Sequence, residues 1–153
     1  MKWTNHHDVE KYLEAKEYID TIIMPLSPFG LEADQAPSKI AYQKEVLAVL
    51  TKELEQELSG RTLLIPSYTY WKSSKLDEEI IRINQWLSHI QKQPFEHIFL
   101  ITFDATWKKV EKELNGNLLW FPHIQTGELH SSEMQKMIRE QVSQISELIR
   151  SYW

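Results

Sequence analysis

A chain of 153 residues, 42% hydrophobic and 25% charged, fits one globular domain and excludes wholesale disorder. It has no cysteine, which rules out disulfides, thiolate nucleophiles and Cys-ligated zinc and fits a reducing cytosol. A formal net charge of -5 argues against broad attraction to nucleic acid or anionic lipid.

No apolar run is long enough to cross a membrane, and residues 1–8 lack the apolar core of a secretory signal. A cytoplasmic protein without membrane insertion is therefore expected. Six Trp and six Tyr are many for this length. Such rings favour core edges and contact surfaces.

In chain order, Thr4, Asp8, Val9, Tyr12 and Leu13 read as a short N-terminal helix capped near Thr4. His6 and His7, adjacent on that helix, diverge by about a hundred degrees and do not easily share one metal without a third ligand. Residues 19–24 form a first strand candidate that should stop at Pro25, because proline removes a ladder donor. A long loop to about Pro37 follows. From Ser38 to Leu58, apolar Ile40, Val46, Leu47, Leu50, Leu54 and Leu58 keep helical spacing, with Gly60 as a left-handed stop.

Residues 61–65 repeat the strand pattern and end at Pro66. Ser74 with Asp77 matches a capping box and starts a helix whose stripe is Leu76, Ile80, Ile83, Leu87 and Ile90. Residues 96–104, whose apolar core is continuous, read as a strand buried on both faces. A short helix over 105–114 leads to a fourth strand at 118–121. Ser132 with Gln135 then opens the C-terminal helix.

Strands separated by helices form parallel sheets through right-handed crossovers. The expectation is a single α/β domain over 1–153, a three-layer sandwich with an extra N-terminal helix and a four-stranded parallel sheet in flavodoxin-like order 2-1-3-4. Ligands of such sheets sit beyond the carboxyl ends of the strands, where the winding reverses. Those ends carry Ser27, Ser67, Tyr68, Tyr70, Trp71, Asp104, Trp107, Trp120 and His123.

Two functional readings draw on that rim. In the first, Ser27, Ser67, Tyr68, Tyr70, Trp71, Asp104, Trp107 and His123 form a non-catalytic surface for a protein partner or small ligand, an aromatic anchor of the kind that dominates interfaces. In the second, Ser67 or Ser27 with Asp104 and His123 forms a small hydrolase-type site in the order nucleophile, acid, base. The second is weaker, since Ser67 lies between Pro66 and Tyr68 and lacks the small neighbours of a nucleophile elbow. No glycine-rich phosphate loop, cofactor motif or metal-ligand cluster is present. Homo-oligomerisation stays open.

Trp3-Thr4, the segment 17–26 and the overall length resemble the YpiF-like proteins of Bacillus and its relatives, a domain family without an assigned function. The resemblance spans the chain but brings no catalytic residues. It implies an association with a menaquinol:cytochrome c reductase, beside whose subunits such proteins tend to be encoded.

Overall fold

The computed structural model describes residues 1–124 and 127–153. Its sheet is built around β1 (Thr21–Phe29), flanked by β2 (Thr62–Leu64) and β3 (Tyr68–Trp71) on one edge and by β4 (His97–Thr102) on the other. β5 (Asn117–Trp120) extends the sheet beyond β4. Every pairing is parallel, and the order β2-β1-β4-β5 is the order expected for the four anticipated strands.

Helices cover both faces. On one, α2 (Pro37–Glu57) and α4 (Ser132–Arg150) pack against Ile23, Phe99, Ile101 and Leu119. On the other, α1 (His6–Ala15), α3 (Leu76–Ile90) and a 3-10 helix (Ala105–Glu113) cover Ile22, Met24, Leu26, Ile98 and Leu100. Alternate residues of β1 thus feed opposite cores, as the pleat requires. Leu54, Leu87, Phe99 and Trp107 are fully buried.

The first strand departs from expectation by continuing through Pro25 and Pro28 to Phe29. The register explains why both prolines are tolerated. Thr21 N donates to Arg61 O, Ile65 N to Ile23 O and Lys72 N to Phe29 O, so odd-numbered residues of β1 bond towards β2 and β3. The missing N–H of Pro25 therefore faces the break between Leu64 and Tyr68, and that of Pro28 faces the side where β4 has already ended. Neither proline removes a ladder bond.

Three helix starts also differ from the expected caps. Asn5, not Thr4, caps α1 by accepting from Asp8 N, while Thr4 Oγ1 donates to the Asp8 carboxylate. Helix α3 begins at Leu76 without a side-chain cap, because Ser74 N donates to Trp71 O and closes a turn out of β3. Ser131 rather than Ser132 caps α4, accepting from Met134 N. Gly60 does sit at φ 96, in the left-handed region expected of it.

Candidate functional site

Beyond Pro25 and Ile101, β1 and β4 part. From β1 the chain turns to α2 on one face, and from β4 to the 3-10 helix on the other, so the connections diverge and leave a crevice between them. Thr102 pins its floor: its hydroxyl donates to Leu26 O at 3.1 Å and accepts from Asp104 N at 3.0 Å.

The crevice is a cleft of about 250 Å³. Ser27, Asp104 and His123 line it, together with Lys39, Gln43, Lys44, Lys72 and Phe103. Ser27 lies on the α2 face because it follows Ile23 by four residues along the strand. The start of α2 forms the opposite wall, entered through Ala36 at φ 50, a left-handed conformation uncommon for a residue with a side chain.

Ser27 and Gln43, both lining the cleft, each have a buried side-chain oxygen, Ser27 Oγ and Gln43 Oε1, with no hydrogen-bond partner among the described residues. Ser27 is 1% exposed and Gln43 8%. The Gln43 amide is oriented, since its Nε2 donates to Ile124 O at 3.3 Å, which leaves Oε1 as an acceptor without a donor. A polar atom held out of water in this way costs free energy, roughly 1–3 kcal/mol each.

Asp104, by contrast, is saturated. It accepts from Tyr70 Oη at 2.6 Å, from Thr106 N at 3.1 Å and from Thr106 Oγ1 at 2.9 Å, and Lys72 Nζ stands 3.6 Å away. Trp107 Nε1 donates to Tyr70 Oη at 2.8 Å, with the two rings edge to face. Burial alone would raise the Asp104 carboxyl, but the bonds from Tyr70 and Thr106 and the charge of Lys72 outweigh it and hold the group below the usual carboxylate range. Burial and the adjacent Asp104 charge push the Tyr70 phenol up, so it stays a donor.

His123 lies at the cleft mouth, its ring 6.3 Å from that of Phe103. Partial burial, then the charge of Lys39, lowers its pKa; Asp104 opposes the shift and Lys72 adds to it. The cleft is thus net cationic: Lys39, Lys44 and Lys72 face Asp104 alone, and Asp104 is already matched by Lys72.

Other rim residues fall elsewhere. Ser67 lines a separate recess with Lys2, Trp3, Thr51 and Lys52. Tyr68 donates to the Glu79 carboxylate on the α3 face, stacked 6.2 Å from Tyr70. Tyr70 and Trp107 are buried and form framework rather than an exposed anchor, because the 3-10 helix folds Trp107 under the sheet. Trp71 is half exposed, edge to face with Phe29 at 5.1 Å. Trp120 donates to Phe103 O and carries Lys108 over its ring.

A second, wider groove of about 620 Å³ lies on the opposite face, lined by Trp3, Tyr12, Trp86, Ile90 and Phe95 among others. Its walls are almost wholly apolar. Among the described residues no group of three or more His, Asp or Glu could hold a metal ion, and no helix is long and apolar enough to cross a membrane.

Sequence reasoning did not select Gln43, Lys39, Lys44 or Lys72. A signal for Gln43 exists: it interrupts the stripe Ile40, Leu47, Leu50 and Leu54 at a position one helical turn from Ile40 and from Leu47, where a polar residue must be buried.

The chain is 28% identical over 156 residues to the "Uncharacterized protein YpiF" of Bacillus subtilis (strain 168), an alignment covering 100% of this chain and 98% of that protein. No solved structure matches. The profile of the family described as "Protein of unknown function (DUF2487)" matches residues 10–153, and the chain belongs to that family.

Proposed function

We propose that this protein is a non-catalytic binding protein whose working surface is the cleft at the carboxyl ends of β1 and β4, and that it holds a small ligand there. The observation that carries this reading is a pair of buried atoms without a partner among the described residues, Ser27 Oγ and Gln43 Oε1, on two residues that line one cationic cleft. Elsewhere at the same strand ends the buried polar groups are matched, from Thr102 to Trp107. The lack of cysteine favours a cytosolic setting.

Catalysis by a serine site is the alternative, and the geometry supports it less. Asp104 spends its oxygens on Tyr70 and Thr106 rather than on His123, and Ser67 belongs to another recess. A hydrolytic triad needs the carboxylate to orient the imidazole and the imidazole to reach the hydroxyl. A protein partner is a further reading, favoured by the half-exposed Trp71 beside Phe29 at the rim. A link to a menaquinol:cytochrome c reductase is supported by the resemblance alone.

A thermal-shift screen of small metabolites separates these readings. Compounds that raise the melting temperature of the wild type should lose their effect in Ser27→Leu, which fills the cleft. Stabilisation that survives this substitution would move the site elsewhere. A hydrolase substrate panel giving activity that disappears in Asp104→Ala would establish the enzyme instead, and loss of captured partners in Trp71→Ala would establish the protein contact.

A further inference from the structure

We infer that the ligand of the strand-end cleft is a small hydroxylated oxyanion, a carboxylate or phosphate carrying at least one hydroxyl group. The inference rests on the binding reading above and names its chemistry.

The anionic part follows from charge. Lys39 and Lys44 reach the cleft from the first two turns of α2 and make no ion pair among the described residues, while Lys72 is shared with Asp104. A 21-residue helix also directs the positive end of its dipole at the same wall, which begins at Gln35 and Ala36. Asp104 offsets one of these charges, through Lys72 at 3.6 Å, and leaves Lys39 and Lys44 as the excess.

The hydroxyl follows from the orphaned acceptor. Gln43 Oε1 can only accept, since Nε2 is committed to Ile124 O. A fully ionised simple anion has no hydrogen to give it. Ser27 Oγ, 1% exposed, can donate to the anion or accept from the same hydroxyl. A ligand satisfying both atoms and the lysines carries a donor beside its negative group.

Size limits the rest. At about 250 Å³ the cleft is small beside ordinary ligand pockets of roughly 300–1,000 Å³, which fits a few-carbon metabolite. His123, faced by Lys39 from α2, Lys72 after β3, Asp104 after β4 and the Phe103 ring, meets more positive than negative charge. A bound anion reverses that balance and favours the imidazolium.

Calorimetric titration of the full chain with glycerate, lactate, propionate, glycerol 3-phosphate, glycerol and ethanolamine tests this. Glycerate or glycerol 3-phosphate should bind most tightly, and their ranking identifies the carboxylate or the phosphate. Lactate should exceed propionate by roughly three- to tenfold, the worth of one matched hydrogen bond. Gln43→Leu should erase that preference while propionate affinity stays, and Lys39→Met with Lys44→Met should weaken every anion at least about tenfold, as expected for two lost charge-assisted contacts. The His123 ring resonances should report a pKa that rises on binding. Circular dichroism melts confirm that each variant folds; should Gln43→Leu unfold, Ser27→Ala takes its place. Equal binding of lactate and propionate, or anion binding indifferent to the lysines, overturns the inference. Glycerol or ethanolamine binding in the cleft with the anions silent overturns it and leaves the binding reading standing, whereas silence towards all six compounds removes both.

Discussion

Two sides of one strand end treat buried polar groups in opposite ways. Below the sheet, Trp107, Tyr70, Asp104 and Thr106 form a closed chain of donors and acceptors. Above it, Ser27 and Gln43 are buried about as deeply, and each has an oxygen without a partner among the described residues. Satisfied networks stabilise a fold, and unsatisfied ones cost it stability. The lower side therefore reads as framework, and the upper side as a site whose missing partner comes from outside.

The largest effect should come from breaking the framework. Trp107→Ala removes a fully buried ring and should cost about 3–5 kcal/mol in denaturant unfolding. Trp107→Phe, which keeps most of the volume but loses the donor to Tyr70, should cost only about 1 kcal/mol. Near-equal costs would mean that the lost donor to Tyr70, and not the packing of the ring, carries the stabilisation.

Asp104→Asn should come next. The amide can still accept from Tyr70 or from Thr106 but presents an N–H where an acceptor is needed, so a loss of about 1–3 kcal/mol is expected at neutral pH. Because the folded-state carboxyl lies below its ordinary value, its contribution is present above about 3.8 and fades as pH falls below that. Wild type and Asp104→Asn should accordingly converge in acid.

On the cleft side the sign reverses. Ser27→Ala and Gln43→Leu should leave ligand-free stability unchanged or raise it by up to about 1 kcal/mol, since each removes an unmatched buried oxygen. A loss above about 2 kcal/mol for either would make these residues framework too.

His123 gives the smallest effect. Its folded-state pKa lies below 6.5, so the unfolded chain takes the proton more readily. Stability is present above pH 6.5 and declines as pH falls through the window below it. His123→Gln should flatten that slope in melts between neutral pH and about pH 5.

The same contrast shows what a sequence displays. The sheet order was legible because β1, β2, β4 and β5 are apolar runs flanked by turn residues, and strand buried on two faces leaves that trace. Tyr68–Trp71 was not, because β3 is aromatic and half exposed and borrows its ladder from β1. The extension of β1 was hidden by prolines, whose harmlessness depends on which neighbour each would have faced. Ser27, Asp104 and His123 could be placed at one rim from topology alone. Lys39, Gln43 and Lys44 could not, since polar residues on a helix look solvated until the strand opposite them is known. Trp107 misled in the other direction, its position at a strand end giving no sign that the 3-10 helix would carry it beneath the sheet.

The two faces also offer competing sites, the cationic cleft and the apolar groove of Trp3, Tyr12 and Trp86. An amide chemical-shift map of the wild type titrated with glycerate decides between them most directly. The amides of Ser27, Lys72, Asp104 and the first turns of α2 should move together along one saturating curve while the groove stays still. Shifts confined to the groove, with the cleft amides unmoved, would contradict the cleft as the working surface.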